Sequence, residues 1–333
     1  MGEVPAMPLS RWMKLQPLLL FFAAPLIGEF LLGNLPITWL YTLVVLAPLY
    51  GGGAILVREL ALRMGAGWPG IFMLGLAFGV IEEGFVTQSL FNPDYLGMRL
   101  LDYGYLPTIG ISAWWTVFVL GLHTIWSTTA AIALVEALAP RAAGRPWLGP
   151  LGLAVAFIIF LAGCAGTYAL QPPGFVAAPL QFASAAAVVL LLVAAAWLTG
   201  RRRSPTRIDR FVPSPWVVGA FALAAGSLFM LSTWTMTLVP AAANAGFMLL
   251  VMAGAAAAIL RWSRSSRWGA RHVLGLTAGA LITYGWWGFL QAPSVPGANA
   301  LTDTIGNAVF CATALAVIVF AARRLAAEGG AAA

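Results

Sequence analysis

Ten apolar runs, each long enough to cross a bilayer, constrain this chain more than any motif it carries. They lie near 17–33, 37–57, 69–90, 111–138, 148–170, 176–198, 215–238, 241–260, 273–290 and 299–321. About 30 Å of hydrocarbon requires roughly 20 helical residues, whereas a barrel strand requires only about 10. An isolated strand in lipid would leave its backbone groups unpaired, so the runs predict an all-α, polytopic membrane protein forming one integral domain. Of the 333 residues 61% are hydrophobic and only 9% charged, and the mean hydropathy is +0.90. A soluble globule carries about 25% charged residues, which excludes an ordinary cytosolic enzyme. The first run follows Arg11 and Lys14, yet it contains Glu29 and lacks a small-residue cleavage site. It therefore reads as a retained helix, not a signal peptide.

Charge fixes the orientation. If the first of ten spans enters from the cytoplasm, the inner side receives Arg11, Lys14, Arg58, Arg63, Arg141, Arg145, Arg201, Arg202, Arg203, Arg207, Arg210, Arg261, Arg264, Arg267, Arg271, Arg323 and Arg324. Arg99 alone falls outside. One missed span would invert every later loop, so this asymmetry predicts cytoplasmic N- and C-termini in a bacterial-type inner membrane. The net charge of +7 is then accounted for by topology and by anionic headgroups, so the partners implied are membrane lipids and not nucleic acid. Cys164 and Cys311 sit in apolar runs and offer neither a disulfide framework nor a zinc-ligand spacing.

Two stretches, LGLAFG at 74–79 and LGLTAG at 274–279, each contain a glycine pair spaced for close helix approach: Gly75 with Gly79 and Gly275 with Gly279. Most outer connections are short, but residues 91–110 form a polar and aromatic segment with Asp94, Arg99, Asp102 and three tyrosines. Having no evident secondary structure, it is expected to lie on the outer interface over a cavity. Trp114 and Trp115 are expected in the interfacial aromatic belt, and the tail beyond Arg324 is expected to fray.

The polar residues inside the spans point to function. Glu82 and Glu83 are adjacent within the third run, and each ionised carboxylate facing lipid would cost about 3 kcal/mol. At 1.5 Å per residue Glu82 lies about 12 Å below the outer end of its helix and His123 about 18 Å down the returning one, so the two depths nearly match. Glu29, Gln88, Asn244, Asp303 and Asn307 also fall in outer halves, as do Ser232, Thr233, Thr235 and Thr237. The inner half holds little beyond Ser127, Thr128, Thr129 and Glu136. This asymmetry predicts a water-accessible cavity open to the outer side, with Glu82, Glu83 and His123 at its floor and Asp303, Asn307 and Glu29 contacting substrate. A purely structural network of neutral carboxyl groups would satisfy the same pattern. A gap above about 6 Å between His123 and either glutamate would dissolve the shared site.

The Glu-Glu pair followed by a histidine on the next span resembles the CPBP family of intramembrane metalloproteases, which includes the CAAX prenyl-protein proteases. The likeness covers residues 68–127 and rests on the family's EExxxR and FxxxH motifs. It implies Glu82 or Glu83 as the base that activates water, His123 as a ligand of a zinc-type divalent metal, and a peptide substrate. Thr87 stands at the arginine position, Phe118 is one residue too far from His123, and no HxxxN occurs. His272, the only other histidine, belongs to the inner end of its run. Two further readings fit the same residues: a proton-coupled secondary transporter, with His123, Asp303 and Asn307 contacting a small solute, and a non-catalytic membrane subunit ordered by the polar cluster.

Overall fold

The computed structural model describes residues 9–202, 207–295 and 299–330. Arg203, one of the arginines expected on the inner side, lies outside the described residues, as does the tail from 331. Helix α1 (Leu9–Pro25) runs directly into a π-helical turn, Leu26–Leu31. The next span begins as a 3-10 turn (Ile37–Thr42) and continues through α2 (Leu43–Leu46), a π-turn (Ala47–Gly51) and α3 (Gly52–Arg63). Helix α4 (Gly67–Ile81) ends in a π-turn, Glu82–Val86. Helices α5 (Ala113–Leu122) and α6 (Ala131–Leu138) are joined end to end by a fourth π-turn, His123–Ala130. Six longer helices follow: α7 (Pro150–Ala169), α8 (Pro179–Arg201), α9 (Pro215–Leu231), α10 (Ala241–Ser263), α11 (Ala270–Trp287) and α12 (Ala300–Gly330).

The chain is thus an all-α membrane protein. Seven helical stretches are long and apolar enough to cross a bilayer: Ile37–Arg63, Gly67–Val86, Ala113–Leu138, Pro150–Ala169, Pro179–Arg201, Ala241–Ser263 and Ala300–Glu328. Two shorter apolar helices, Leu15–Leu31 and Pro215–Leu231, and α11 fill the other three runs. The stretches Gly67–Val86 and Ala113–Leu138 are mostly enclosed, whereas α7, α8, α10 and α12 turn most of their apolar surface outward, where lipid takes the place of a protein core.

Both glycine pairs are packing devices. A Cβ at Gly75 would meet the Thr128 hydroxyl, and one at Gly79 would stand 3.1 Å from the His123 Cβ, so α4 lies directly against the turn that carries the histidine. A Cβ at Gly279 would fall 2.3 Å from the Gly219 carbonyl oxygen, which sets α11 tightly on α9.

Four expectations need correction. The second span continues past 57 to Arg63, because Arg58 is not solvated: it is fully buried, with Nη1 2.9 Å from Glu59 Oε1 and Nη2 2.8 Å from Glu136 Oε1. Residues 91–110 carry structure of their own: a 3-10 turn (Tyr95–Gly97) and a small antiparallel hairpin of β1 (Tyr105–Leu106) and β2 (Ile111–Ser112), pinned by Tyr103 Oη donating to the Val239 carbonyl. Trp114 is buried and stacked on Phe118 with ring centroids 4.9 Å apart, while the Trp115 indole donates to Ser89 Oγ at 3.1 Å. Neither is a simple belt residue. Finally, α12 extends to Gly330, with Leu325 buried and Glu328 3.6 Å from Arg141 Nε, so the tail through 330 is helix.

Candidate functional site

Among the described residues there are four π-helical turns, and every one carries a polar side chain of a single cluster: Glu29 in the first, Tyr50 in the second, Glu82 and Glu83 in the third, His123 in the fourth. A π-turn inserts one residue into an α-helix, displaces the side chains beside it and frees backbone groups; such bulges recur at functional sites. Local causes are visible in the chain. Pro25 immediately precedes the first turn and Pro48 lies in the second, and neither can donate to an α-helical ladder. In the third, the Thr87 amide bonds back five residues to the Glu82 carbonyl at 2.9 Å. In the fourth, Thr128 Oγ1 donates to the carbonyls of Thr124 at 2.9 Å and His123 at 3.0 Å, occupying acceptors that the widened turn leaves over.

The predicted convergence of Glu82, Glu83 and His123 is present. Imidazole Nε2 lies 2.8 Å from Glu83 Oε1, and Nδ1 lies 3.1 Å from Glu82 Oε2. One ring therefore bridges two carboxylates. The Glu83 contact is aligned as a hydrogen bond, while Glu82 Oε2 and Nδ1 are near one another without such alignment and have no other partner. The second oxygen of Glu83 accepts from Thr87 Oγ1 at 2.7 Å and from Ser89 Oγ, which itself accepts the Trp115 indole N–H. Tyr50 Oη donates to Glu29 Oε1, and the Tyr50 ring lies 5.8 Å from the imidazole, centroid to centroid. Asn34 Nδ2 donates to Glu29 Oε2 at 2.5 Å. Glu82, Glu83, His123 and Tyr50 are all below a tenth exposed.

Glu29 thus belongs to the cluster itself. Asp303 and Asn307 are not brought to it: the Asn307 amide donates to the Gly288 carbonyl at 2.7 Å, and Asp303 sits in the first turn of α12, where the helix dipole favours a carboxylate. Asn244 is likewise used in packing, donating to Tyr103 Oη at 3.2 Å and the Ser232 carbonyl at 2.8 Å. His272 stacks on Trp268 and accepts the Gly269 amide at the start of α11. Tyr50 and Ser89 were missed. A tyrosine directly before three glycines in an otherwise aliphatic run was the available signal for Tyr50.

The electrostatics are lopsided. Two buried carboxylates contact one imidazole and a third, the half-buried Glu29, joins them through Tyr50; among the described residues none of the ion pairs or hydrogen bonds of these four side chains involves an arginine or lysine. Fully ionised, the group would hold two uncompensated negative charges, a costly state away from water. It must gain either protons or a cation.

The donor set does not fit a zinc-type centre. One ligand atom each from Glu82, Glu83 and His123 lie within 4.8 Å of one another. The two ring nitrogens, however, face different carboxylates, and Nε2 and Glu83 Oε1 are in direct contact at 2.8 Å. Ligands bound at about 2.1 Å around a tetrahedral ion stand about 3.4 Å apart, and such sites rarely rest on a single imidazole.

The profile of an uncharacterized membrane protein family matches residues 18–329, and the chain belongs to that family. This corrects the resemblance to the CPBP proteases, since a match over nearly the whole chain outweighs a short motif that lacks its arginine, its phenylalanine spacing and its second histidine. No curated protein and no solved structure matches the chain.

Proposed function

We propose that this protein is a proton-coupled membrane carrier of ten spans, with both termini on the cytoplasmic side of the inner membrane, and that the Glu29, Tyr50, Glu82, Glu83 and His123 cluster is its proton-exchanging site. The observation that carries this reading is the charge imbalance: two buried carboxylates against one imidazole and a third, half-buried, linked through Tyr50, with no arginine or lysine among their bonded partners in the described residues. Such a group takes up and releases protons as a unit, because each ionisation changes the cost of the next. The orientation is supported by the single outer Arg99 against the other basic residues. Hydrogen bonds join Thr87 to Glu83, Glu83 to His123 and Tyr50 to Glu29, and the 3.1 Å approach of His123 Nδ1 to Glu82 is the gap that a proton crossing the cluster would have to close.

The test is infrared difference spectroscopy of protein in lipid during a pH titration. A carbonyl band of protonated carboxyl groups is expected within the accessible pH range, reduced in Glu82→Gln and in Glu83→Gln, and reshaped by Tyr50→Phe. If no protonated carboxyl signal depends on these glutamates at any pH, the reading fails.

A further inference from the structure

Beside the cluster, a cavity of about 280 Å³ opens between the outer end of α4 and the connection from α7 to α8. Thr87, Gln88, Asn92, Tyr168 and Gln171 supply its polar lining, and the segment from Pro172 to Val176 supplies the apolar wall. No charged side chain lines it. An ion entering it would lose hydration without gaining a counter-charge, so the lining selects against charge of either sign. Its volume is at the small end for ligand pockets, which suits a compact molecule.

Three features of the lining bear on what the cavity can hold. Gln88 adopts a left-handed backbone, φ 57°, which a residue with a side chain rarely holds; its side chain thereby reaches across to accept the Ala177 amide at 2.7 Å, tying the α7–α8 connection to α4. Gln171 donates to the Thr167 carbonyl, while its acceptor Oε1 is buried without a hydrogen-bond partner. A buried unmatched acceptor calls for a donor. Tyr95, whose phenol is pushed up by burial, stands within hydrogen-bonding reach of the Gln171 side chain without being aligned on Oε1, so a ligand donor competes there with the phenol. Thr87 Oγ1 gives its one proton to Glu83 and accepts the Ser89 amide at 3.3 Å, which leaves one lone pair for a ligand in the cavity that Thr87 lines.

We infer that this cavity is the solute site of the carrier, and that it takes a small uncharged molecule bearing N–H or O–H donors on an apolar body, such as a primary amide or an alcohol. The inference rests on the proton-coupled reading and adds the substrate class and the link between the two sites. That link is Thr87. With Glu83 ionised, the hydroxyl donates to the carboxylate and accepts from the solute; once Glu83 carries a proton, that proton is donated to Thr87 Oγ1, and the hydroxyl rotates to donate outward. Solute bound through a donor is thereby exchanged against a proton, with no covalent bond made or broken.

Three isosteric probes test this: isobutyramide, isobutyrate and isobutyramidinium, titrated against the full-length protein in nanodiscs by saturation-transfer difference NMR, with empty nanodiscs subtracted. Isobutyramide is expected to bind at least tenfold more tightly than either ion. Gln171→Leu and Thr87→Val are each expected to weaken it about fivefold, the size of one buried hydrogen bond. The pH dependence of amide affinity is expected to disappear in Glu83→Gln. Equal binding of all three probes, no binding of any, or amide binding untouched by both substitutions would overturn the assignment of the site. Amide binding that never varies with pH would overturn the Thr87 link. Because the infrared titration uses no solute, failure here leaves a result distinct from failure of the proton reading.

Discussion

Two polar clusters meet the second span, one at its Arg63 end and one at its middle around Tyr50, and they are built on opposite principles; in the proposed orientation the first is the inner cluster and the second the outer. In the cluster at the Arg63 end, Arg58, Arg63, Glu59 and Glu136 balance: two guanidinium groups meet two carboxylates. The Glu59 oxygens also accept the amides of Trp147 and Leu148, Arg58 Nη2 donates to the Arg145 carbonyl, and Trp147 covers the guanidinium at 3.3 Å. Every strong donor has an acceptor, and the result clamps the connection between α6 and α7 to α3. In the cluster around Tyr50 the carboxylates outnumber the cationic groups, and Glu82 Oε2 and His123 Nδ1 remain unaligned. Burial and charge alone do not identify function. Balance does: a neutral, saturated cluster holds one arrangement, whereas an unbalanced one must exchange something with its surroundings.

The sharpest way to break this contrast is to unbalance the inner cluster. Glu59→Ala strands Arg58 and two backbone amides, and is expected to cost about 3–5 kcal/mol, visible as a large fall in the unfolding midpoint in detergent. A smaller loss than that of any outer-cluster variant would contradict the assignment of scaffold and site. Next in size is Gly279→Val, which drives a branched side chain into the Gly219 carbonyl; about 1–3 kcal/mol is expected in the same unfolding assay, with the infrared signal intact. Glu82→Gln exchanges a carboxyl for an amide of the same shape and is expected to shift stability by less than about 1 kcal/mol while removing a titrating carboxyl band. Metal analysis sharpens the same point: purified protein is expected to carry no stoichiometric zinc, and zinc that disappears in His123→Ala would reverse the conclusion drawn from the donor set.

The smallest effect is reserved for an exposed pair. Arg267 Nε lies 2.6 Å from Asp209 Oδ1, and that hydrogen bond holds the Asp209 carboxyl below its ordinary value and the Arg267 guanidinium above its own. The depressed carboxyl contributes stability above the usual aspartate range, near pH 4, and the contribution is lost as pH falls through the lower folded value. A slight acid-side weakening near the Ile208–Ser265 bridge, abolished by Arg267→Ala and followed by amide exchange of Ser266, is expected. Both groups are at the surface, so solvent screens most of it. An equally small pH response from the outer cluster would erase the distinction drawn here.

Much of this was legible in the sequence. Hydropathy alone finds the helices, seven of them long and apolar enough to span, and the meeting of Glu82, Glu83 and His123 follows from counting helical rise along two neighbouring runs. Glu29 was legible as an intramembrane acid but not as a direct member, because its reach depends on the π-turn after Pro25. Tyr50 was hidden because a tyrosine counts as apolar in such a reading and gives no sign of the Glu29 carboxylate across from it. The inner cluster was hidden by adjacency: Arg58 and Glu59 look like the wet end of a helix until Glu136, far along the chain, is placed beside them. Trp114 looked interfacial because local sequence cannot anticipate stacking against Phe118.

The four widened turns have a mechanical corollary. Each holds one residue more than the α-turn it replaces, and passing that surplus one position along its helix swings the crossed side chain by about 100° without bending the rod. Because the surplus residues belong to four rods that meet at one cluster, sliding them would unclasp imidazole from carboxylate, while the Gly279 contact that seats α11 on α9 lies outside all four turns. The helices need not tilt for the protein to change what its centre grips.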